Sequence, residues 1–165
     1  MKKTFFLSGI LILFTGLFAC AQPSHPNSPH DTVSGKNIKV TYGRPYKKGR
    51  EIFGGLQKYG EVWRCGADEA TEISFAKDGT FGGKPVKAGK YTLFVIPNEK
   101  EWTIILNGDT KFWGTEYDKH KTKDVLRVNV PVKKLDKVVE QHTIRPTDKD
   151  LIIEWDQTQV AIPVS

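Results

Sequence analysis

The sequence predicts a single all-β domain, a β-sandwich of about eight or nine mostly antiparallel strands with little helix. Three observations support this fold class. Apolar residues alternate with polar ones over short segments, which is typical of strands that bury one face. These segments recur at near-regular spacing and are separated by Gly, Pro and Asp clusters. No amphipathic run of helical length is present, beyond one short turn within 50–60.

The predicted strands follow one another along the chain. The first four share an apolar residue at every second position and centre on Val40, Ile73, Leu93 and Ile104. The later ones are short and β-branched and read "VLRVNVPV", "KVVEQHTIR", "LIIEWD" and "QVAIPV". Asp78-Gly79 and Gly82-Gly83 are two-residue hairpin signals, and 98–100 separates two strongly alternating segments. This pattern predicts a succession of hairpins.

The amino terminus has the three-part layout of a secretory signal peptide. Lys2 and Lys3 precede an uncharged apolar run over 5–18, and small residues follow it. The run has about 14 residues, whereas a helix that spans a bilayer needs roughly 20. We therefore expect residues 1–21 to be a cleaved targeting segment and the protein to be exported to the periplasm or cell envelope.

Two processing outcomes are open at the end of this segment. Ala19-Cys20-Ala21 fits the small-x-small pattern for cleavage before Gln22. The stretch "LFAC" also resembles the lipobox of bacterial lipoproteins, in which case Cys20 is the first mature residue and its acyl chains hold the protein on a membrane. A membrane contact is expected only through such an anchor.

Residues 22–36 are predicted to form a flexible tether that precedes the domain over 37–165. The stretch is rich in Pro, Ser and His and has almost no apolar residues with which to drive its own burial. Removing residues 1–21 takes away two lysines and no acid, which lowers the formal charge from +6 to +4. This mildly basic charge favours anionic ligands. No dense Lys/Arg run is present, and no nucleic-acid partner is expected.

Candidate ligand-binding residues are concentrated early in the domain. Arginine presents a planar fork of donors that matches carboxylate and phosphate. Arg44, Arg50 and Arg64 lie near predicted strand ends, where the loops of a sandwich gather at one rim. We expect them to line a pocket for an anionic small molecule or a carbohydrate. The remaining residues of the predicted site are Glu69 and the aromatic walls Tyr42, Trp63 and Trp113.

A purely structural interpretation of the same residues stands beside this one. Asp68 and Glu69 would pair with Arg50 and Arg64 to fix a loop corner, and Trp63 would fill the core. The segment "KFWGTEYDKH" is predicted to be a loop that closes over the same rim. Its aromatic residues either are exposed for binding or form a hydrophobic plug, and we expect the plug.

Catalytic residues are not indicated by any local motif. Cys65 is interpreted as a buried apolar thiol, with a nucleophile and a disulfide to an unlipidated Cys20 as alternatives. Asp68 and Glu69 are adjacent, so on a strand they would point to opposite faces and could not flank one bond. The four histidines lack the paired spacing of a zinc motif, so neither a metal nor a cofactor is expected.

Several multi-residue motifs occur in a characteristic order: Y-x-R-P, K-G-R-x-I-F-G, V-W-R-x-G-A-D-E-A-T, A-G-x-Y and W-G. In these motifs the chain, from about Ser28 to its end, resembles a bacterial family of exported proteins, domain of unknown function 2911. The resemblance implies a shared fold and an exported location, and it implies no catalytic residue.

The sequence thus favours an exported, non-catalytic ligand-binding module. One alternative is a hydrolase-type enzyme that uses Asp68 and Glu69, or Cys65. Another is a structural envelope protein that binds other proteins along a sheet edge.

Overall fold

The architecture is described for residues 28–165, from a computed structural model, and it consists almost entirely of β-strands. The elements in chain order are β1 His30–Ser34, β2 Ile38–Gly43, β3 Thr71–Phe75, β4 Gly79–Phe81, β5 Lys84–Val86, β6 Gly89–Ile96, β7 Glu101–Asn107, the short helix α1 Tyr117–His120, a 3₁₀ turn Lys121–Lys123, β8 Asp124–Pro146 and β9 Asp150–Pro163. The predicted all-β, sandwich-like fold of mostly antiparallel strands is confirmed. The predicted signal peptide and Cys20 lie outside the described residues.

Seven strands form one curled antiparallel sheet in the order β1-β2-β3-β6-β7-β8-β9, and β4 and β5 form a separate two-stranded hairpin. The Gly82-Gly83 signal lies between β4 and β5, as predicted, and both glycines have positive φ. Strands β6 and β7 are buried on both faces. Phe94 and Ile105 point away from the main core and pack against Tyr117 of α1.

The last two strands are longer than the sequence predicts. The four β-branched segments over 125–164 are merged into β8, with 23 residues, and β9, with 14 residues. The first part of β8 pairs with β7 and the second part with β9, and the register shifts twice between Lys134 and Thr143. Polar residues interrupt the apolar alternation at these irregularities, so the sequence reads as separate strands.

Strand β1 occupies residues 30–34 of the segment expected to be a flexible tether. It pairs with β2 over its whole length, from His30 opposite Gly43 to Ser34 opposite Lys39. Edge pairing is made by backbone hydrogen bonds, which require few apolar side chains. Val33 alone among these five residues packs against the main core.

The main core, on the inner side of the curled sheet, contains a cluster of aromatic rings. The centre of the Trp63 ring lies 5.8 Å from that of Trp155 and 6.2 Å from that of Trp102. The ring centres of Phe53 and Trp102 are 4.7 Å apart. The hairpin returns to the end of β2, where a bridge joins Tyr46 to Gln141. This bridge places the second half of β8 beside the long connection between β2 and β3.

Candidate functional site

The segment over 63–70 is held in place by buried hydrogen bonds. Trp63 exchanges two backbone bonds of 2.8 and 2.9 Å with Val95 of β6. The carbonyl oxygen of Cys65 accepts bonds of 2.9 Å from Thr71 Oγ1 and from His142 Nε2. Trp63 Nε1 donates to the carbonyl of Gly66 at 3.0 Å. The sequence "WRCGADEA" therefore forms a rigid platform rather than a free loop.

Two residues of this platform have left-handed backbone conformations. The φ angles are 52° at Cys65 and 65° at Asp68, and each such non-glycine residue costs about 1 kcal/mol or more. Gly43 permits the platform to approach β2, because a Cβ at that position would lie 2.3 Å from the carbonyl oxygen of Ala67. Strain of this kind is concentrated at functional sites.

Asp68 and Glu69 are not placed on opposite faces, as they would be on a strand. Because Asp68 is left-handed rather than extended, the two carboxylates do not alternate as we expected. Asp68 Oδ2 lies 3.3 Å and Glu69 Oε2 lies 3.6 Å from the same atom, His30 Nε2. Neither carboxylate forms an ion pair with Arg50 or Arg64 within residues 28–165. The corner is thus tied to β1 through a histidine.

Two grooves flank the platform. The first, here called the basic groove, has a volume of about 670 Å³ and is lined by Tyr46, Lys48, Arg50, Leu56, Arg64 and Asp68, among others. The second, here called the Trp113 groove, has a volume of about 570 Å³ and is lined by Tyr42, Glu69, Glu72, Lys111 and Trp113, among others. The basic groove has three cationic side chains and one carboxylate, whereas the Trp113 groove has one lysine and two glutamates.

Arg50 is oriented by the tight turn that precedes it. Lys48 and Gly49 have φ angles of 49° and 71°, and the Arg50 N–H donates to the carbonyl of Lys47 at 3.1 Å, which is the geometry of a type I′ turn. The guanidinium folds back so that Nε and Nη2 donate to the carbonyls of Lys47 and Tyr46. Nη1 has no hydrogen-bond partner within the described residues and remains available to a ligand.

Arg64 is the partly buried cation of the basic groove. Its guanidinium carbon lies 5.9 Å from the centre of the Trp113 ring, within the range of a cation–π contact. Burial lowers the pKa of Arg64, an effect that Asp68 and Glu69 partly oppose. Its side chain makes no hydrogen bond or ion pair to any residue of 28–165. Such a cation favours an incoming anion.

Gly114 determines where the Arg64 side chain lies. A Cβ at Gly114 would lie 2.1 Å from Arg64 Cδ and 2.7 Å from Arg64 Cβ. The neighbouring residue Trp113 is bridged to Glu69 through the backbone. The glycine of the W-G motif, Gly114, therefore packs against Arg64, the arginine of the V-W-R-x-G-A-D-E-A-T motif.

Arg44 lies outside both grooves. Its Nη1, Nε and Nη2 donate to Asp31 Oδ2, to the His142 carbonyl and to Thr143 Oγ1, at 3.1, 3.2 and 3.1 Å. Arg44 thereby joins β1, the end of β2 and β8. The structure brings Arg50 and Arg64 to one groove, but it does not bring Arg44 with them.

The predicted aromatic walls occupy three different settings. Trp63 is buried in the core and lines neither groove, in agreement with the structural interpretation. Tyr42 lines the Trp113 groove, but its hydroxyl bonds to the backbone of Ile144, and burial raises its pKa. Trp113 is 47% exposed, so the expectation that it forms part of a buried plug is wrong; Tyr117 is buried.

Cys65 has none of the surroundings of a nucleophile. The thiol is fully buried, and burial raises its pKa, so the thiolate is disfavoured. His142 bonds to the carbonyl of Cys65, not to its sulfur. Burial lowers the pKa of His142 to about 3, so the imidazole is neutral. Its Nδ1 atom has no partner in the part of the chain that the structure describes.

Sequence reasoning missed several residues of the basic groove. Tyr46 and Leu56 are 39% and 44% exposed, and with Lys48 they form its rim. The signal that could have identified them is the tight "KKGR" turn, which forces its neighbours to the surface. The contribution of Trp155 could not have been foreseen, because β9 reaches the groove only through the return of the last hairpin.

Neither a metal centre nor a membrane-spanning helix is found within residues 28–165. No group of three or more His, Cys, Asp or Glu side chains in this range is arranged to hold a metal ion. In the same range, no helix has the length and apolar character needed to cross a membrane.

The fold and the site together define an antiparallel β-domain with a cationic surface groove beside a strained, rigid platform. This chain belongs to the DUF2911 family, described as "Protein of unknown function", whose model matches residues 24–164. The resemblance inferred from the sequence motifs is thus confirmed. No curated protein and no solved structure matches the chain.

Proposed function

We propose that this protein is an exported cell-envelope module that binds a small anionic ligand, such as a sugar acid, in the basic groove. The observation that carries the proposal is the guanidinium of Arg64, which lines the groove, is partly buried and makes no ion pair within residues 28–165. Arg50 adds a second guanidinium, whose Nη1 has no partner in the described part of the chain. Two such groups match the two-point geometry of a carboxylate or phosphate.

The groove also has features suited to a ring-shaped ligand. Tyr46 and Leu56 offer partly exposed apolar surface at its rim. Asp68 supplies an acceptor for hydroxyl groups, although its Oδ2 atom already accepts the Ser28 N–H at 3.1 Å. A ligand that combines a carboxylate with a polyhydroxylated ring would use all of these groups.

Glucuronate, glucose and inorganic phosphate are the probes that test this proposal by calorimetry at low salt. Glucuronate and phosphate are expected to bind, and neutral glucose is not. Arg64→Ala is expected to weaken binding about tenfold or more, because a hydrogen bond to a charged group contributes about 1.5–3 kcal/mol. The affinity of Arg64→Lys is expected to lie between those of the wild type and Arg64→Ala, because lysine keeps the charge but lacks the planar fork of donors.

Two further variants serve as controls. Arg145→Ala removes an arginine outside the groove and is expected to leave binding unchanged. Gly114→Ala keeps Arg64 but displaces its side chain, so it is also expected to weaken binding. Melting temperatures verify that each variant is folded. Equal glucuronate affinity in wild type and Arg64→Ala, or no binding of either anion, would contradict the proposal.

Export is supported by the basic, apolar and small-residue succession at the amino terminus. The mass of the mature protein recovered from the cell envelope tests it. We expect a chain that begins either at an acylated Cys20 or at Gln22. A mature protein that retains residues 1–21 in the cytoplasm would contradict export.

A further inference from the structure

Apolar side chains are exposed beside the cations of the basic groove. Two of the seven large hydrophobic residues that are exposed within residues 28–165 lie there, Tyr46 at 39% and Leu56 at 44% exposure. Tyr46 and Leu56 line the same groove as Lys48 and Arg50. Tyrosine and leucine next to lysine and arginine are typical of surfaces that lie at a membrane interface.

The cations that line the basic groove form no ion pairs within residues 28–165, in contrast to two lysines close to them in the sequence. Lys47 pairs with Asp156 at 3.3 Å and Lys58 with Glu61 at 3.8 Å. Lys48, Arg50 and Arg64 form no ion pair among the described residues. The carboxylate of Asp68 is engaged by Ser28 and His30. The groove therefore presents an excess of positive charge, which complements anionic headgroups.

The chain enters the domain at this same groove. Ser28 and Pro29 line it, and Pro29 is fixed there because its carbonyl accepts the Arg44 N–H at 2.7 Å. Eight peptide steps connect Cys20 to Ser28 in the sequence, and they span at most about 29 Å when fully extended. A domain of this size has a radius of gyration of about 14 Å, which for a sphere corresponds to a diameter of about 37 Å, so the domain is wider than the tether is long.

An acyl anchor on Cys20 would thus hold the groove end of the domain towards the membrane. We propose that the basic groove docks on the headgroups of anionic phospholipids in that membrane. This inference rests on the proposed function, since it assigns the anion of the groove to a lipid phosphate. The tether length, the exposed apolar rim and the unpaired cations all point to this occupant.

Vesicle co-sedimentation of the exported Cys20→Ser protein, shown by its mass to lack residues 1–21, tests the proposal, because this protein has neither an acyl chain nor the apolar run over 5–18 and binds only through its own surface. Vesicles of phosphatidylcholine alone are compared with vesicles that also contain phosphatidylglycerol. Binding is expected only to the second. Lys48→Gln and Arg50→Gln are each expected to weaken it about fivefold, as is typical for one basic residue at an anionic surface. Leu56→Ser is also expected to weaken vesicle binding, because it removes an apolar side chain from the rim of the groove.

Lys133→Ala is the matched control, since Lys133 is exposed on β8 and lies outside the groove. It is expected to leave vesicle binding unchanged. Equal losses for Lys133→Ala and Lys48→Gln would overturn the proposal, because they would indicate attraction by net charge alone.

Free glycerol 3-phosphate separates this inference from the proposed function. If glycerol 3-phosphate binds in an Arg64-dependent manner and the phosphatidylglycerol vesicles do not bind, lipid docking is overturned and anion binding stands. If the vesicles, glycerol 3-phosphate, glucuronate and inorganic phosphate all fail to bind, both are overturned. Binding of the vesicles with the expected dependence on Lys48, Arg50 and Leu56 supports lipid docking.

Discussion

Replacement of Trp63 by alanine is expected to lower the free energy of unfolding by about 3–5 kcal/mol. The side chain is only 5% exposed, and its ring packs against Phe53, Trp102 and Trp155. The substitution would leave a cavity in the aromatic cluster and remove the hydrogen bond from Nε1 to the Gly66 carbonyl. Because that bond helps to shape the platform, ligand binding would be lost together with stability.

Urea denaturation measures the loss, and Trp113→Ala provides the matched control. Trp113 is the same residue type but is 47% exposed, so its removal is expected to cost about 1 kcal/mol or less. If Trp63→Ala does not fold, Trp63→Phe, which keeps one ring, is expected to fold with a smaller loss. Similar effects at the two tryptophans would show that Trp63 is not a core residue.

Acid is expected to destabilise the protein through His142. Its pKa is lowered from 6.5 to about 3 in the folded state by burial, and the nearby charge of Arg44 adds to this effect. The unfolded state therefore binds a proton first as the pH falls. The stability contributed by neutral His142 is complete above pH 6.5 and is lost towards pH 3, by about 1.4 kcal/mol for each pH unit.

The variant His142→Gln isolates this contribution. Glutamine keeps a side-chain donor for the Cys65 carbonyl but does not titrate. Between pH 6.5 and 4.5 the wild type is expected to lose about 2 kcal/mol more stability than the variant. All other side chains are the same in both proteins, so their effects cancel in the comparison. Parallel stability curves for the two proteins would refute the assignment.

Sequence periodicity predicted most of the strands, because a strand that buries one face requires apolar and polar residues to alternate locally in the sequence. Strands β2, β3, β6 and β7 coincide with alternating segments, since one buried face imposes a period of two. The sequence pattern does not reveal strand β1, because this strand is held by backbone hydrogen bonds to β2 and does not need alternating apolar side chains. The continuity of β8 was missed because its bulges interrupt the pattern that marks a strand.

The candidate site was less predictable because its geometry depends on distant partners. Residue type alone could identify arginines as anion-binding groups. It could not show that Arg44 is engaged by Asp31 and also by His142 and Thr143, which lie 98 and 99 residues further along the chain. Nor could it show that Asp68 adopts a left-handed conformation, which brings both acidic side chains to His30.

The contacts between the end of β2 and the second half of β8 also have a kinetic consequence. Tyr42 and Ile144, which exchange two hydrogen bonds, are 102 residues apart. Contacts of such long range require closure of a large loop, so a domain of this topology is expected to fold on the millisecond to second timescale. A chain that emerges amino terminus first must therefore keep the inner face of β2 uncovered until its final hairpin arrives. During that interval a holding chaperone would protect it from aggregation.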